Sequence, residues 1–384
     1  MNRDIGIITS TQSFGNNYGA ILQAYALSTI LKESGYHPYI IKYKREEEFL
    51  QGTAPVLERL KATLLNPNTS IRSKRVLLYN YITKRSPRKQ FLEFEKKYLS
   101  FFKDEYVEFE TLKKNPPPYD TFIVGSDQVW NPVIHGNRND PGYFLDFVPD
   151  GKKRIAYAPS IGVDAIPDSC KDTLGPFLVK FDALSVRERT GQKIIKDACG
   201  IDVRVTLDPT LLLKADEWEK VSEACNSLPE RYILCYKFGN SKQMDYAIRK
   251  LSRTYRMPVV AVPASTETKF HINYGIGPGE FLAAVRNAAI VFSDSFHATV
   301  FSIIFKRPFY TFPREGMETT SKMNGRMQDL LQMVCLEDRY ITSAQEVDEK
   351  DPFAISFQNS EDMLQRKRTE DLSFLLNAIE GTQV

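Results

Sequence analysis

Apolar residues in this chain fall into short runs, separated by polar turns and by longer stretches with helical spacing. Ile5 to Thr9 is the first run, the turn SFGNN comes next, and Tyr18 to Glu33 then carries Ala20, Ile21, Ala24, Leu27, Ile30 and Leu31 on one helical face. HPYIIKY reads as the next strand. Strand, helix and strand in that order are the unit of a parallel sheet. Further runs at Thr121 to Val124, Arg154 to Ala158, Ala183 to Val186, Tyr232 to Tyr236, Val259 to Val262, Ile290 to Ser293 and Phe309 to Phe312 repeat the pattern. The expectation is an α/β protein of two Rossmann-like domains, residues 1–206 and 230–345, joined through 207–229, where TLDPTLLL turns and LPERY leads into the second set of strands. The tail, 346–384, contains an amphipathic stretch from Glu361 to Ile379, expected to pack across the two halves as a closing helix, with an oligomer contact as the alternative.

One segment breaks the alternation. Residues 46–118 show helical patterns without clear strands and end at NPPPY, which predicts a helical insertion in the first domain. Between Glu58 and Lys97 it holds eleven basic residues against three acidic ones, with Val76, Leu77, Leu78, Tyr79, Tyr81 and Ile82 interleaved. Contact with an anionic membrane surface is one reading, and a solvated basic face on packed helices is the other. Nucleic acid is the weaker option because no recognition motif accompanies the charge.

Composition narrows the setting. With 384 residues, 42% apolar and 26% charged, the chain is long enough for two cores, and its net charge of +3 names no partner. The five cysteines are scattered and form no C-x-x-C pair, which argues against a disulfide framework or a zinc site and fits a reducing cytoplasm. The first residues, MNRDIGIITSTQSFG, lack a signal-peptide core, and no run reaches the length needed to span a bilayer. The expected location is the cytoplasm, at the inner face of its membrane if the basic segment docks there.

Ligands of open α/β sheets gather beyond the carboxyl ends of the strands, so the segments just after each strand carry the candidate chemistry. In SFGNNYG, Asn16 and Asn17 can cap a helix and Gly19 permits close approach of a ligand; a plain cap is the alternative. In VGSDQVWNP, Ser126, Asp127 and Gln128 beside Trp130 are residue types that bind sugars, although a cap with a buried indole gives the same pattern. In LSVRERT, Arg187 and Arg189 can face one side of a cleft and grip phosphate or carboxylate; salt bridges with Glu188 or the next helix compete. Finally, FSDSFHATVFSIIFKRPF predicts a strand, an N-cap at Asp294 or Ser295, and a helix from about 296 to 306 that ends before Pro308. This places His297 in a first helical turn, where the dipole disfavours imidazolium and a bound anion would reverse that preference. A histidine bonded to a loop carbonyl is the alternative.

Taken together, GNNYGAILQAYAL, FIVGSDQVWNP, LSVRER, LDPTLLL and SDSFHATVFSIIFKRPF resemble the polysaccharide pyruvyl transferase family over residues 5 to 335. The resemblance implies a fold similar to the type B glycosyltransferases and a reaction that moves the enolpyruvyl unit of phosphoenolpyruvate onto a sugar of a surface polysaccharide, as a ketal or a related pyruvyl adduct. It implies His297 as the family's histidine and Arg187 as its strand-end arginine. It also implies a basic residue after the strand that succeeds the histidine helix, for which Arg314, Lys322 and Arg326 compete, Lys322 and Arg326 being favoured. In that mechanism His297 is the general acid, and Arg187 and a second-half cation hold the donor's anions. Phosphoenolpyruvate is then the donor substrate, no cofactor or metal is expected, and a saccharide, on a lipid diphosphate if the basic segment meets a membrane, is the acceptor. Two other classes share these features: a nucleotide-sugar-dependent glycosyltransferase of the same fold and a saccharide-binding protein without catalysis.

Overall fold

The computed structural model describes residues 3–11, 17–43, 87–225, 228–263, 272–273, 275–315 and 324–382. The strands are β1 Asp4–Ile8, β2 His37–Tyr43, β3 Phe101–Tyr106, β4 Thr121–Val124, β5 Lys153–Ala156, β6 Ala183–Val186, β7 Arg204–Val205, β8 Ile233–Lys237, β9 Val259–Pro263, β10 Ile272–Asn273, β11 Ile290–Ser293 and β12 Phe309–Thr311. They form one sheet in the order β3-β2-β1-β4-β5-β6-β7 and a second in the order β10-β9-β8-β11-β12. Both are parallel, and each runs outward from its first strand in two directions. The halves are therefore Rossmann-like, with topological switch points between β1 and β4 and between β8 and β11. Strands β4 (TFIV) and β11 (IVFS) are buried at every position, as expected of parallel strands covered on both faces.

The helices that shape the site are α1 Tyr18–Glu33, α2 Pro87–Tyr98, α3 Arg189–Cys199, α4 Pro209–Leu212, α5 Pro278–Asn287, α6 Phe296–Ile304, α7 Gly325–Met333 and α8 Gln358–Glu380. Thirteen of the sixteen residues of α1 are buried, so this helix is covered on all sides instead of presenting a wet face. It packs on α5 and α6 of the second half, where Tyr18 stacks on Phe281 at 4.3 Å and its hydroxyl donates to Ile276 O at 2.7 Å. One continuous apolar cluster consequently holds Ile7 and Leu22 of the first half together with Leu234 and Phe301 of the second. The C-terminal helix α8 touches both halves: Lys306 Nζ donates to Glu361 at 2.7 Å, and the buried Asp371 accepts from Leu207 N at 2.8 Å.

The structure corrects the expected insertion. Residues 44–86 lie outside the described part, and residues 87–118 are not wholly helical, because FFKDEY forms β3 and pairs in parallel with β2 at the sheet edge. Its central residues Lys103, Asp104 and Glu105 are exposed, so an edge position hides the strand from any search for apolar runs. Helix α2 buries Phe91 and Phe94 in the core, with Phe91 5.0 Å from Tyr18, and points Lys89 and Lys97 into solvent. This described part of the basic segment is thus a packed helix with a solvated charged face; residues 76–82 are outside the described set.

Candidate active site

At the end of β4 the chain turns through Gly125, Ser126 and Asp127, the last held at φ +64°, a left-handed conformation uncommon for a side-chain-bearing residue. Ser126 N donates to Gln23 Oε1 of α1 at 3.0 Å, and Ser126 Oγ lies 2.7 Å from Ala158 O and 2.9 Å from Asp208 Oδ2, either of which can take its one proton. Two strands away, β6 delivers Arg187. Its side chain is buried, with Nη1 3.0 Å from Asp208 Oδ2 and 3.9 Å from Asp127 Oδ1, and Nε 3.5 Å from Glu188 Oε2. Burial by itself would weaken the guanidinium's hold on its proton, but Asp208, then Glu188 and Asp127, more than offset that. Nε and Nη2 nevertheless have no hydrogen-bond partner among the described residues.

Asp208 is the centre of this arrangement. It caps α4, which begins with Pro209, by accepting from Thr210 N at 3.0 Å and from Thr210 Oγ1 at 2.7 Å, all through Oδ1. Oδ2 is thereby left for Ser126, Arg187 and His297. Burial would raise the Asp208 acid, yet His297 and Arg187, with the Thr210 bond, hold it well below the usual carboxylate range.

His297 reaches the same carboxylate from the other half. Helix α6 comes directly after β11 with Ser295 as N-cap, so His297 stands in its first turn, and its Nε2 lies 3.5 Å from Asp208 Oδ2. That separation is within ion-pair range and too long for a full hydrogen bond, and Nε2 has no such partner among the described residues. The other ring face is fixed by Gly19: a Cβ there would stand 1.9 Å from His297 Nδ1. The first turns of α1 and α6, one from each half, therefore meet at this imidazole.

The remaining cations come from the second half. Arg326 on α7 is buried beside Arg187, and its Nε also lacks a partner among the described residues. Burial, together with the guanidiniums of Arg314 and Arg187, presses the Arg326 charge well below its ordinary strength, against smaller help from Glu188 and Asp127. Arg314 lies 4.4 Å over the Phe238 ring and donates to Asp294 O at 3.2 Å. Asp294 in turn accepts from the Phe238 and Gly239 amides at 2.7 and 2.6 Å, which ties the end of β8 to the end of β11. A pocket of about 260 Å³ opens between the halves, bounded by Arg187, Asp208, Phe296, Arg326, Leu330 and Met363. Chemically, the site gathers buried guanidinium N–H groups that have no hydrogen-bond partner among the described residues, with an imidazole close to them that can hold or give a proton.

The sequence profile of the polysaccharide pyruvyl transferase family matches residues 17–316, which include every group of the site described above except Arg326, Leu330 and Met363. The chain belongs to the polysaccharide pyruvyl transferase family. No curated protein matches it. Among solved structures, the UDP-GlcNAc 2-epimerase of Methanocaldococcus jannaschii in complex with UDP-GlcNAc and UDP is similar at 13% identity and a TM-score of 0.46, covering 96% of this chain and 98% of that one. A glycosyltransferase from Rickettsia africae is similar at 13% identity and a TM-score of 0.46, covering 99% and 97%.

For a member of the pyruvyl transferase family, the positions expected from sequence divide clearly. His297, Arg187, Ser126, Asp127 and Arg326 are brought together around Asp208, with Gly19 in contact with the imidazole. Arg189 does not share the buried setting of Arg187: it is exposed on the rim of the pocket, with Nη1 3.4 Å from Gln332 Oε1. Ser295 is the N-cap by position, without a capping bond from its hydroxyl. Asn17 caps α1 by accepting from Ala20 N at 3.3 Å, and Gln128 Oε1 accepts from Asn131 Nδ2 at 3.0 Å. Asn16 and Lys322 lie outside the described residues.

Trp130 is a correction. Its indole is buried, stacks on Phe144 at 4.9 Å and donates from Nε1 to Tyr143 O at 2.8 Å. No face is left for a sugar, because the ring packs the loop against its own domain. The residue missed by sequence reasoning is Asp208. Its signal is present in LDPT, an acid directly before a helix-starting proline, but that pattern announces only the capping oxygen and not the one that faces Arg187 and His297. Among the described residues, no group of three or more His, Cys, Asp or Glu could hold a metal ion, and no helix is long and apolar enough to cross a membrane.

Proposed function

We propose that the protein transfers the pyruvyl unit of phosphoenolpyruvate to two hydroxyls of a saccharide, forming a pyruvate ketal and inorganic phosphate. The observation that carries this reading is the convergence of Arg187 and Arg326, both buried with N–H groups that have no partner among the described residues, next to a histidine whose Nε2 shares the Asp208 carboxylate with Arg187. A donor bearing phosphate and carboxylate answers that arrangement, since each anion can accept from a guanidinium.

In this mechanism His297 gives its proton to the methylene carbon of phosphoenolpyruvate, which becomes the methyl group, while a sugar oxygen bonds to the adjoining carbon. A second sugar hydroxyl then attacks the same carbon as the C–O bond to phosphate breaks. Of the two hydroxyl protons released, one restores His297 and the other leaves with phosphate. Arg187 and Arg326 stabilise the departing phosphate, and Asp208 holds the imidazole in line. A lipid diphosphate on the acceptor would suit the eleven basic residues between Glu58 and Lys97.

The test is phosphate release from phosphoenolpyruvate with a panel of diol-bearing saccharides, run in deuterated water. The expected result is release that requires both substrates, a deuterium-labelled methyl group in the product, and loss of both signals in Arg187→Ala. Thermal stabilisation by nucleotide sugars, with none from phosphoenolpyruvate, would replace this reading with glycosyl transfer.

A further inference from the structure

The segment that carries Asp208 is held from outside its own domain. Helix α8 reaches residues 204–211 at four points: Asp371 Oδ1 lies 3.4 Å from Arg204 Nη2, Lys367 Nζ donates to Val205 O at 3.3 Å, Asp371 Oδ2 accepts from Leu207 N at 2.8 Å, and Arg368 Nε donates to Leu211 O at 2.6 Å. The Leu207 bond is the one nearest the chemistry, since the next residue supplies the carboxylate shared by Arg187 and His297. The Asp371 side chain is fully buried: its Oδ1 accepts from Lys367 Nζ at 3.0 Å and faces Arg204, while its Oδ2 takes the Leu207 backbone amide, and this second bond fixes the chain and not merely a side chain.

The far end of the same helix is anchored elsewhere. Ser360 Oγ donates to Val334 O at 2.6 Å and Glu361 accepts from Lys306 Nζ at 2.7 Å, which joins α8 to the end of α7 and to the residues just beyond α6. Arg326 rides on α7 and His297 on α6. Helix α8 thus registers the three elements whose side chains must meet: the Asp208 turn, the His297 helix and the Arg326 helix.

We propose that Asp371 is a positioning residue of the transfer site, acting through the Leu207 amide to set Asp208 Oδ2 against His297 and Arg187. This rests on the proposed function for its kinetic consequence, but not for its structural one. An error of about 1 Å at such a site costs on the order of 10²-fold in rate.

The experiment compares Asp371→Ala, which removes the acceptor, with Asp371→Asn, whose amide oxygen can still accept from Leu207 N, and with Arg204→Met, which removes an ion-pair partner and leaves the amide bond intact. The substrate-independent readout is the ring chemical shift of His297, one of four histidines in the chain, with the exposed His37 as internal reference. The expected result is that Asp371→Ala displaces the His297 signals in the same direction as Asp208→Asn, whereas Asp371→Asn and Arg204→Met leave them near wild type. Transfer from phosphoenolpyruvate should fall in the same order, with kcat reduced and KM little changed for Asp371→Ala. A folded Asp371→Ala protein with unmoved His297 signals overturns the proposal. So does an asparagine variant as perturbed as alanine, because charge and not the amide bond would then be responsible. Should alanine fail to fold, Asp371→Glu, which displaces the acceptor by one methylene, takes its place with the same expected and overturning results. If the wild-type chain shows no transfer while the His297 signals behave as expected, the pyruvyl reading fails and the positioning role stands.

Discussion

Asp208 Oδ2 stands 3.5 Å from His297 Nε2, and the two residues come from opposite halves of the chain, one just after β7 at the edge of the first sheet and the other after β11 at the switch point of the second. Because Arg187 Nη1 shares the same oxygen at 3.0 Å, closing the two halves assembles a guanidinium, a carboxylate and an imidazole that neither half has alone. Replacing Asp208 by asparagine should leave the turn capped through its amide oxygen while lowering transfer by about 10² or more, the size of effect seen when a catalytic histidine loses its orienting carboxylate. Asp208→Ala should also cost about 3–5 kcal/mol of stability, because the buried Arg187 then loses its nearest carboxylate and keeps only the more distant Glu188 and Asp127.

The same carboxylate makes a pH prediction. Since the folded protein holds the Asp208 acid below its unfolded value, its contribution to stability is present above about pH 4 and is lost progressively as pH falls toward the depressed folded value. Melting temperatures of wild type and Asp208→Asn, compared between pH 7 and pH 3, should therefore converge on the acid side. A constant gap across that range would mean that Asp208 stabilises the fold by something other than its charge.

Arg326 leads to an opposite pair of effects. Its guanidinium is weakened by burial and by Arg314 and Arg187, more than Glu188 and Asp127 offset, so the protein's own groups leave the charge without sufficient compensation. Arg326→Met should leave the ligand-free protein as stable or up to about 4 kcal/mol more stable, as found when buried charges are exchanged for apolar groups of similar shape. It should at the same time weaken phosphoenolpyruvate or inorganic phosphate binding at least about tenfold, measured by calorimetry. A loss of stability together with unchanged binding would show that Arg326 serves the fold and not the ligand.

Much of this arrangement is written locally in the sequence, and the remainder can be traced to particular residues. Helix α1 has the predicted limits, Tyr18–Glu33, because its start is marked by asparagine and its interior by unbroken apolar spacing. His297 and Arg187 are legible because each comes just after a buried strand at a place where a parallel sheet puts its ligands. Asp208 is not, since a capping aspartate and a functional one look alike until another part of the chain arrives at the second oxygen. Strand β3 escapes because Lys103, Asp104 and Glu105 break the apolar run at a sheet edge, and Trp130 misleads because a buried indole in a polar loop has the same local sequence as a sugar platform.

Trp130 can be tested directly. Phenylalanine would keep the stack on Phe144 and lose the bond to Tyr143 O, leaving a buried carbonyl without that partner, so Trp130→Phe should destabilise the protein by about 1–3 kcal/mol. Its KM for the saccharide acceptor should remain that of wild type. A several-fold rise in KM with an unchanged melting temperature would restore the indole to the acceptor site.

Gly19 offers the sharpest separation of fold from function. Within a helix interior alanine is favoured over glycine by about 1 kcal/mol, and by less at its ends, so on local grounds Gly19→Ala should if anything stabilise α1. The structure demands the reverse, because the added methyl would stand 1.9 Å from His297 Nδ1 and 2.5 Å from its Cγ, distances no side chain tolerates. Either the imidazole rotates away or α1 and α6 move apart, and α1 is enclosed by both halves. Overpacking of that kind costs about 1–3 kcal/mol. The expected outcome is a variant with lower stability and a transfer rate reduced toward that of His297→Ala, and combining the two substitutions should recover stability by removing the ring that clashes. If Gly19→Ala is as unstable in the His297→Ala background as alone, the glycine is required by something other than the histidine, and the meeting of the two helix starts at the imidazole would lose its functional meaning.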